Sequence, residues 1–307
     1  MKKTAFIYDD IYLTHLMPEF HPESRERLVA IMSKLRGSDV WSQLIAMSPE
    51  KASFEDIEAI HDKHYIEKVK NIGHGYLDAD TYMSENTHEA ALYAAGAIIT
   101  AIRACKSGEI ERAFCAVRPP GHHAEADRGM GFCVYNNVAI GARFAQKLGY
   151  AKVFVIDFDV HHGNGTQHSF YGDDSVFYFS THQYPHYPGT GSTSETGSGK
   201  GKGYTYNIPM NYGAGDKQMH EAYHDKLYKQ VSAFSPDIIL VSAGYDIHKD
   251  DPLAGFMVTD DGIRDIVRGI LTAKADIPVV FTMEGGYDLD AISDGVLISV
   301  RELLNYP

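Results

Sequence analysis

The feature that most constrains this chain is a recurring pair of patterns. Five short runs are apolar along most of their length and rich in β-branched and aromatic residues: Ala113 to Val117, Val153 to Phe158, Val176 to Ser180, Ile238 to Ser242 and Pro278 to Met283. Around them lie longer stretches whose apolar residues recur every three or four positions, clearest in Arg25 to Leu35, His88 to Arg103 and Val138 to Leu148. A strand with one wet face alternates polar and apolar residues. Runs that are apolar on both faces belong instead to a parallel sheet covered by helices on both sides. No repeat, charge block or linker divides the chain, so the sequence predicts a single α/β domain over residues 1–307.

Charge and cysteine content narrow the function classes. Lys and Arg total 28 against 41 Asp and Glu, a net charge of −13. That excludes a general nucleic-acid binder, which needs a basic face, and is compatible with a cationic ligand. Cys105, Cys115 and Cys133 form no Cys-x-x-Cys pair, which predicts free thiols in a reducing compartment. The longest apolar stretch, Ala90 to Ile102, is too short to span a membrane, and Asp9 and Asp10 interrupt any signal-peptide core. The expectation is a soluble cytoplasmic protein with no nucleic-acid or membrane partner; a homo-oligomer is left open. The Gly-rich stretch His186 to Gly203 has neither the Walker spacing nor Gly-x-Gly-x-x-Gly, and is expected to be a mobile surface loop.

In open parallel sheets, ligands bind beyond the carboxyl ends of the strands. Four of the runs end in polar residues: Arg118-Pro-Pro-Gly-His122-His123, Asp159-Val-His161-His162-Gly-Asn164, Ala-Gly-Tyr-Asp246 followed by Asp251-Pro252, and Glu284-Gly-Gly-Tyr287. In an extended chain, Asp157, Asp159 and His161 project to one side while Phe158 and Val160 take the other. Carboxylate and imidazole on one side suit zinc, which in catalytic sites takes three protein ligands and keeps an open position. Asp251, held by Pro252, is the preferred third ligand beside Asp159 and His161, with Asp246 as its competitor. A lone Asp-x-His would read more simply as a buried strand end whose carboxylates accept backbone N–H groups, but three further polar strand ends argue against that. His162 is read as structural. His122 and His123 suit acid–base work near neutrality, with Asp157 and Asn164 the candidates to fix their tautomers. Tyr287, on its Gly-Gly turn, is a candidate donor to an oxyanion.

Taken in order, Pro119-Pro-Gly-His-His123, Gly131-Phe-Cys-Val-Tyr-Asn-Asn137, Asp157-Phe-Asp-Val-His-His-Gly-Asn164, Gly244-Tyr-Asp246 to Asp251-Pro-Leu253 and Glu284-Gly-Gly-Tyr287 resemble the zinc-dependent histone deacetylase family. The resemblance begins at His21-Pro-Glu-Ser-Arg-Glu-Arg-Leu28. Asn164 and Glu284-Gly-Gly place it nearest the class II branch and its bacterial relatives, the acetylpolyamine amidohydrolases among them. It implies the arginase/deacetylase fold, a parallel eight-stranded sheet between helical layers. It also implies removal of an acyl group, most simply acetyl, from acyl-lysine or, as the alternative, an acylated polyamine.

Carried over by position, the resemblance makes Asp159, His161 and Asp251 the zinc ligands. It pairs His122 with Asp157 and His123 with Asn164, gives His123 the main base and acid role, and makes Tyr287 the donor to the substrate carbonyl. Gly131, Phe132 and Tyr187 would line the acyl-lysine channel, where many members have Phe in place of Tyr187. Leu253 stands where polyamine-selective relatives carry an acidic residue. A structural K+ is implied near Asp157, Asp159, His161 and Ser180. Two-metal ureohydrolases of the same fold read Asp-x-His-x-Asp; here Gly163 follows His162, and the second bridging carboxylate is missing. A non-catalytic acyl-group reader would be expected to lose the tyrosine, a histidine or a ligand, and all are present.

Overall fold

The computed structural model describes residues 2–307. Ten strands follow in chain order: β1 (Thr4–Ile7), β2 (Ile45–Met47), β3 (Gly75–Tyr76), β4 (Tyr82–Met83), β5 (Arg112–Cys115), β6 (Val153–Asp157), β7 (Val176–Gln183), β8 (Thr205–Met210), β9 (Ile238–Ala243) and β10 (Val279–Met283). Eight form one sheet in the order β2-β1-β5-β10-β9-β6-β7-β8, with every neighbouring pair parallel. β3 and β4 make a separate antiparallel ribbon. The five predicted runs are β5, β6, β7, β9 and β10.

Four of those five, β5-β10-β9-β6, are contiguous at the centre of the sheet and buried along their whole length. Helices cover both faces there, which is why these strands are apolar throughout. The strands that did not stand out have physical reasons for it. β2 and β8 sit at the two edges and are partly exposed; polar residues break the apolar run of β8, and β2 is apolar but only three residues long. β1 is buried and as short as β5, but its apolar run is cut off at Asp9 and Asp10, whereas that of β5 continues through Ala116 and Val117.

The predicted helical stretches overlap the helices Glu26–Arg36, Thr87–Lys106 and Asn137–Lys147. Thr87–Lys106 is buried on most of its circumference, and Gly96 lets segment 50–52 cross it closely. A Cβ at Gly96 would collide with the carbonyl oxygen of Glu50. Gly96→Ala should therefore lower stability by about 1–3 kcal/mol, the usual cost of overpacking, even though alanine is the better helix former. A lowered urea midpoint at unchanged slope is the expected readout; an unchanged midpoint would show that segment 50–52 yields freely.

All three cysteines are free and buried. Among the described residues, no helix is long and apolar enough to cross a membrane. The stretch His186 to Gly203 differs from the mobile loop expected of its composition. The Glu195 carboxylate accepts the N–H groups of Gly191 and Ser192 and the Nε2 of Gln167, and His182 Nε2 lies 2.8 Å from the Gly191 carbonyl oxygen. Buried polar groups beneath the loop hold it to the body of the sheet.

Candidate active site

The polar segments after β5, β10, β9 and β6 meet because those strands are neighbours with level ends; Asp157 pairs with Ser242 in the register of β6 and β9. Asp159, His161 and Asp246 bring ligand atoms within 4.8 Å of one another. His161 Nδ1 lies 3.1 Å from Asp159 Oδ1 and 3.1 Å from Asp246 Oδ2. One ring N–H satisfies one acceptor fully, so two buried carboxylates converge on a single proton. Burial and then Asp159 push Asp246 up to about 7. A cation between the carboxylates relieves both, and an N/O donor set of this size suits zinc, whose bonds to such ligands run about 2.0–2.2 Å. Gly285 is required beside the cluster, because a Cβ there would collide with the carboxylates of Asp246 and Asp159.

Asp251, the expected third ligand, lies outside this cluster. Its Oδ1 accepts the Leu253 N–H at 2.9 Å and its Oδ2 accepts the Tyr287 N–H at 2.7 Å. Strand register puts Asp246 in the cluster instead. It sits just beyond β9, next to the end of β6, and its Oδ1 accepts the Val160 N–H at 3.0 Å. Asp251 instead joins the turn that carries Leu253 to the backbone of Tyr287. A second buried trio, His122, Cys133 and Glu284, is a poorer cradle. Burial pushes the Cys133 thiol well up, and Glu284 already accepts from Gly121, His122 and the Ser242 hydroxyl.

The two histidines are held differently. His122 Nδ1 lies 3.1 Å from Asp157 Oδ2, which also accepts from the Tyr178 hydroxyl at 3.1 Å. Burial disfavours its charge, but Asp159 and then Asp157 outweigh that and raise it to about 10; a bound dication would oppose the rise. His123 Nδ1 lies 2.8 Å from Asn164 Oδ1. The Asn164 amide nitrogen donates to the His123 carbonyl and to Glu125 Oε1, so its Oδ1 must be the acceptor and His123 carries its proton on Nδ1. That leaves Nε2 with a free lone pair. Burial, followed by the neighbouring His122 and His161, holds His123 well below the usual range. His123 is thus the neutral base of the pair. His162 is packed between Thr190 and Gln167 and held neutral by burial, which suits a structural role.

Tyr287 follows Gly286, whose φ of +117° only glycine adopts readily. The Arg27 guanidinium lies 5.2 Å from the centroid of its ring, and Phe132 packs edge-on at 5.9 Å. Arg27 donates to the carbonyls of Gly286 (2.7 Å) and Glu284 (2.5 Å) and to Glu23, which also pairs with Arg118. These buried charges fix the backbone of the tyrosine turn. Burial pushes the Tyr287 phenol well above its ordinary value, so it is a protonated donor at neutral pH. His123, His161 and Tyr287 share a cavity of about 260 Å³ with Gly131, Phe132, Tyr187 and Leu253; Asp80 and His186 complete its lining. The expected site residues therefore gather in one place, except Asp251, which acts on the backbone behind it.

Residues 21–303 match the histone deacetylase domain. The chain belongs to the histone deacetylase family. This deacetylase-family chain is 38% identical over 294 residues to a probable deacetylase of Archaeoglobus fulgidus, covering 94% of this chain and 82% of that one. It is 39% identical over 310 residues to histone deacetylase 14, chloroplastic, of Arabidopsis thaliana, covering 93% and 73%. A solved structure, the HDA15 HD domain, superposes with a TM-score of 0.93 at 34% identity, covering 98% of this chain and 91% of that one. The arginase/deacetylase fold that the sequence implied is the one observed.

Several residues around the deacetylase centre were not singled out from sequence. Arg27 looks like part of the wet face of an amphipathic helix, yet it is fully buried. Tyr178 lies in an apolar run, with its hydroxyl on Asp157. Asp80 comes from the turn of the small ribbon, where no motif marks it. His186 stacks 5.1 Å from His161. Only Arg27 had a legible signal, its place in the His21 to Leu28 segment.

Proposed function

We propose that this deacetylase is a zinc-dependent amidohydrolase that removes an acyl group, most simply acetyl, from acyl-lysine side chains. The observation that carries the reading is the lining of the cavity. It sets the apolar Phe132, Tyr187 and Leu253 beside His123 with its free Nε2, His161 of the carboxylate–imidazole cluster and the half-buried Tyr287 phenol. Asp159, His161 and Asp246 would hold the zinc, which when bound supplies a Lewis acid for the amide carbonyl and acidifies water.

The chain's own residues do the rest. His123 Nε2 takes a proton from the attacking water while Asn164 keeps the ring oriented. Asp157 holds the His122 ring beside it through Nδ1. The Tyr287 hydroxyl donates to the carbonyl oxygen as negative charge develops there. A proton returns to the departing nitrogen, so amide and water give a carboxylate and a free amine. A structural K+ beside Asp157, Asp159, His161 and Ser180 belongs to the same proposal; Ser180 is the register partner of Asp157 on the adjacent strand.

The acetylpolyamine alternative has one feature in its favour. Asp80 lines the cavity, and a carboxylate there serves a distal ammonium as well as a peptide N–H. Leu253 at the wall favours acyl-lysine. A ureohydrolase centre fits poorly, because the space a side chain at Gly163 would need is filled by the Asp157 carboxylate and the Tyr178 hydroxyl.

Amine release by the zinc-loaded protein from acetyl-lysine peptides, and in parallel from acetylputrescine and acetylspermidine, tests the reading. A higher kcat/KM on the peptides is expected. Preference for the polyamines would overturn the substrate assignment and leave the chemistry standing; absence of turnover on these and on longer acyl-lysines would overturn both.

A further inference from the structure

A second group of metal-ligating side chains lies outside the catalytic cavity, on the helical layer. The helix Asp216–His220 continues as a π-helical stretch, Glu221–Lys226, and packs against the helix Asp260–Ala273. His220 and His224 are four residues apart, so both rings fall on one face. They stack with centroids 4.4 Å apart and planes 22° from parallel. Asp265, from the facing helix, reaches both. His220 Nδ1 is 2.8 Å from Asp265 Oδ2, and His224 Nε2 is 3.0 Å from Asp265 Oδ1.

We infer that His220, His224 and Asp265 form a surface site for a divalent transition ion, separate from the catalytic cluster. Their ligand atoms lie within 4.8 Å of one another, as tightly grouped as those of Asp159, His161 and Asp246. Two imidazoles and a carboxylate are a donor set for Zn2+, Cu2+ or Ni2+; Mg2+ and Ca2+ require oxygen. The side chains are 59%, 28% and 35% exposed, so an ion has an entry path and room for water on its open positions. The π-helical stretch adds a local indication, since such segments are rare and concentrate at functional sites. The competing reading is a hydrogen-bonded clamp between two helices that binds no ion.

The inference does not rest on the proposed substrate, but it bears on metal counting. Two ions per chain would not by themselves indicate a two-metal ureohydrolase, since one would sit at His220 and His224.

The test is a Cu2+ titration of the zinc-loaded protein, followed by electron paramagnetic resonance and by competition with a chromophoric chelator, with zinc content measured throughout. Wild type is expected to take up one Cu2+ per chain without losing zinc, with hyperfine structure from two nitrogens. The His220→Ala/His224→Ala variant should bind it at least about tenfold more weakly, the low end of what loss of even an outer-shell partner costs. Its rate of amine release should be unchanged, which also shows that it is folded. Equal copper affinity in the variant, uptake only in exchange for zinc, or no copper beyond the catalytic equivalent would each overturn the inference.

Discussion

Asp246→Asn is expected to strip the catalytic metal, while Asp251→Asn retains it. The two aspartates share one loop and differ in what their oxygens face. Asp246 Oδ2 faces His161 in the cluster, and Oδ1 accepts the Val160 N–H. Asparagine keeps volume and the backbone acceptor, so the variant should fold, but it removes the charge that would balance a cation. Turnover should fall by more than the roughly 10–100-fold that loss of an outer-shell partner costs, with metal far below one equivalent by elemental analysis.

In Asp251→Asn, one oxygen becomes an amide that cannot accept a hydrogen bond. Either Leu253 or Tyr287 then loses the bond that fixes its backbone. Metal should stay stoichiometric, and turnover should fall by no more than the roughly 10²–10³ that a full oxyanion donor is worth. Full metal in Asp246→Asn together with loss in Asp251→Asn would return the ligand role to Asp251.

That pair of residues also marks the limit of what the sequence could say. The strands β5, β6, β9 and β10 were legible because burial on both faces makes them apolar throughout, and the polar residues that follow them stand out by contrast. Which aspartate of the loop after β9 reaches the cluster was not legible. The answer depends on the register of β9 against β6, fixed by hydrogen bonds between segments some eighty residues apart. The same limit hid Arg27, Glu23 and Arg118, since buried charges that satisfy one another resemble a solvated helix face when read one segment at a time. His220 and His224 likewise read as a polar helix face until the fold brings Asp265 against them. The loop His186 to Gly203 was misjudged because glycine and serine content reports chain freedom, whereas Glu195 and the groups beneath it decide whether that freedom survives.

The second large effect is expected at Tyr287. Tyr287→Phe should lower kcat about 10²–10³-fold, as removal of one oxyanion donor does, with metal content unchanged and KM nearly so. The substitution is a clean one here. Phenylalanine preserves the face toward the Arg27 guanidinium and the edge contact with Phe132, and the Tyr287 N–H on Asp251 is untouched. Only the hydroxyl is lost, so a fall confined to kcat assigns the effect to the developing charge and not to packing. A rise in KM with kcat preserved would mean that the hydroxyl binds the ground-state amide as strongly as the transition state. Turnover close to wild type would remove Tyr287 from the chemistry and leave the donor to be sought at His122, whose ring lies 4.0 Å from that of His123. His123→Ala separates these cases further: it removes the proton acceptor but leaves the phenol, so if both groups act in one step, the double variant should lose much less than the product of the two single losses.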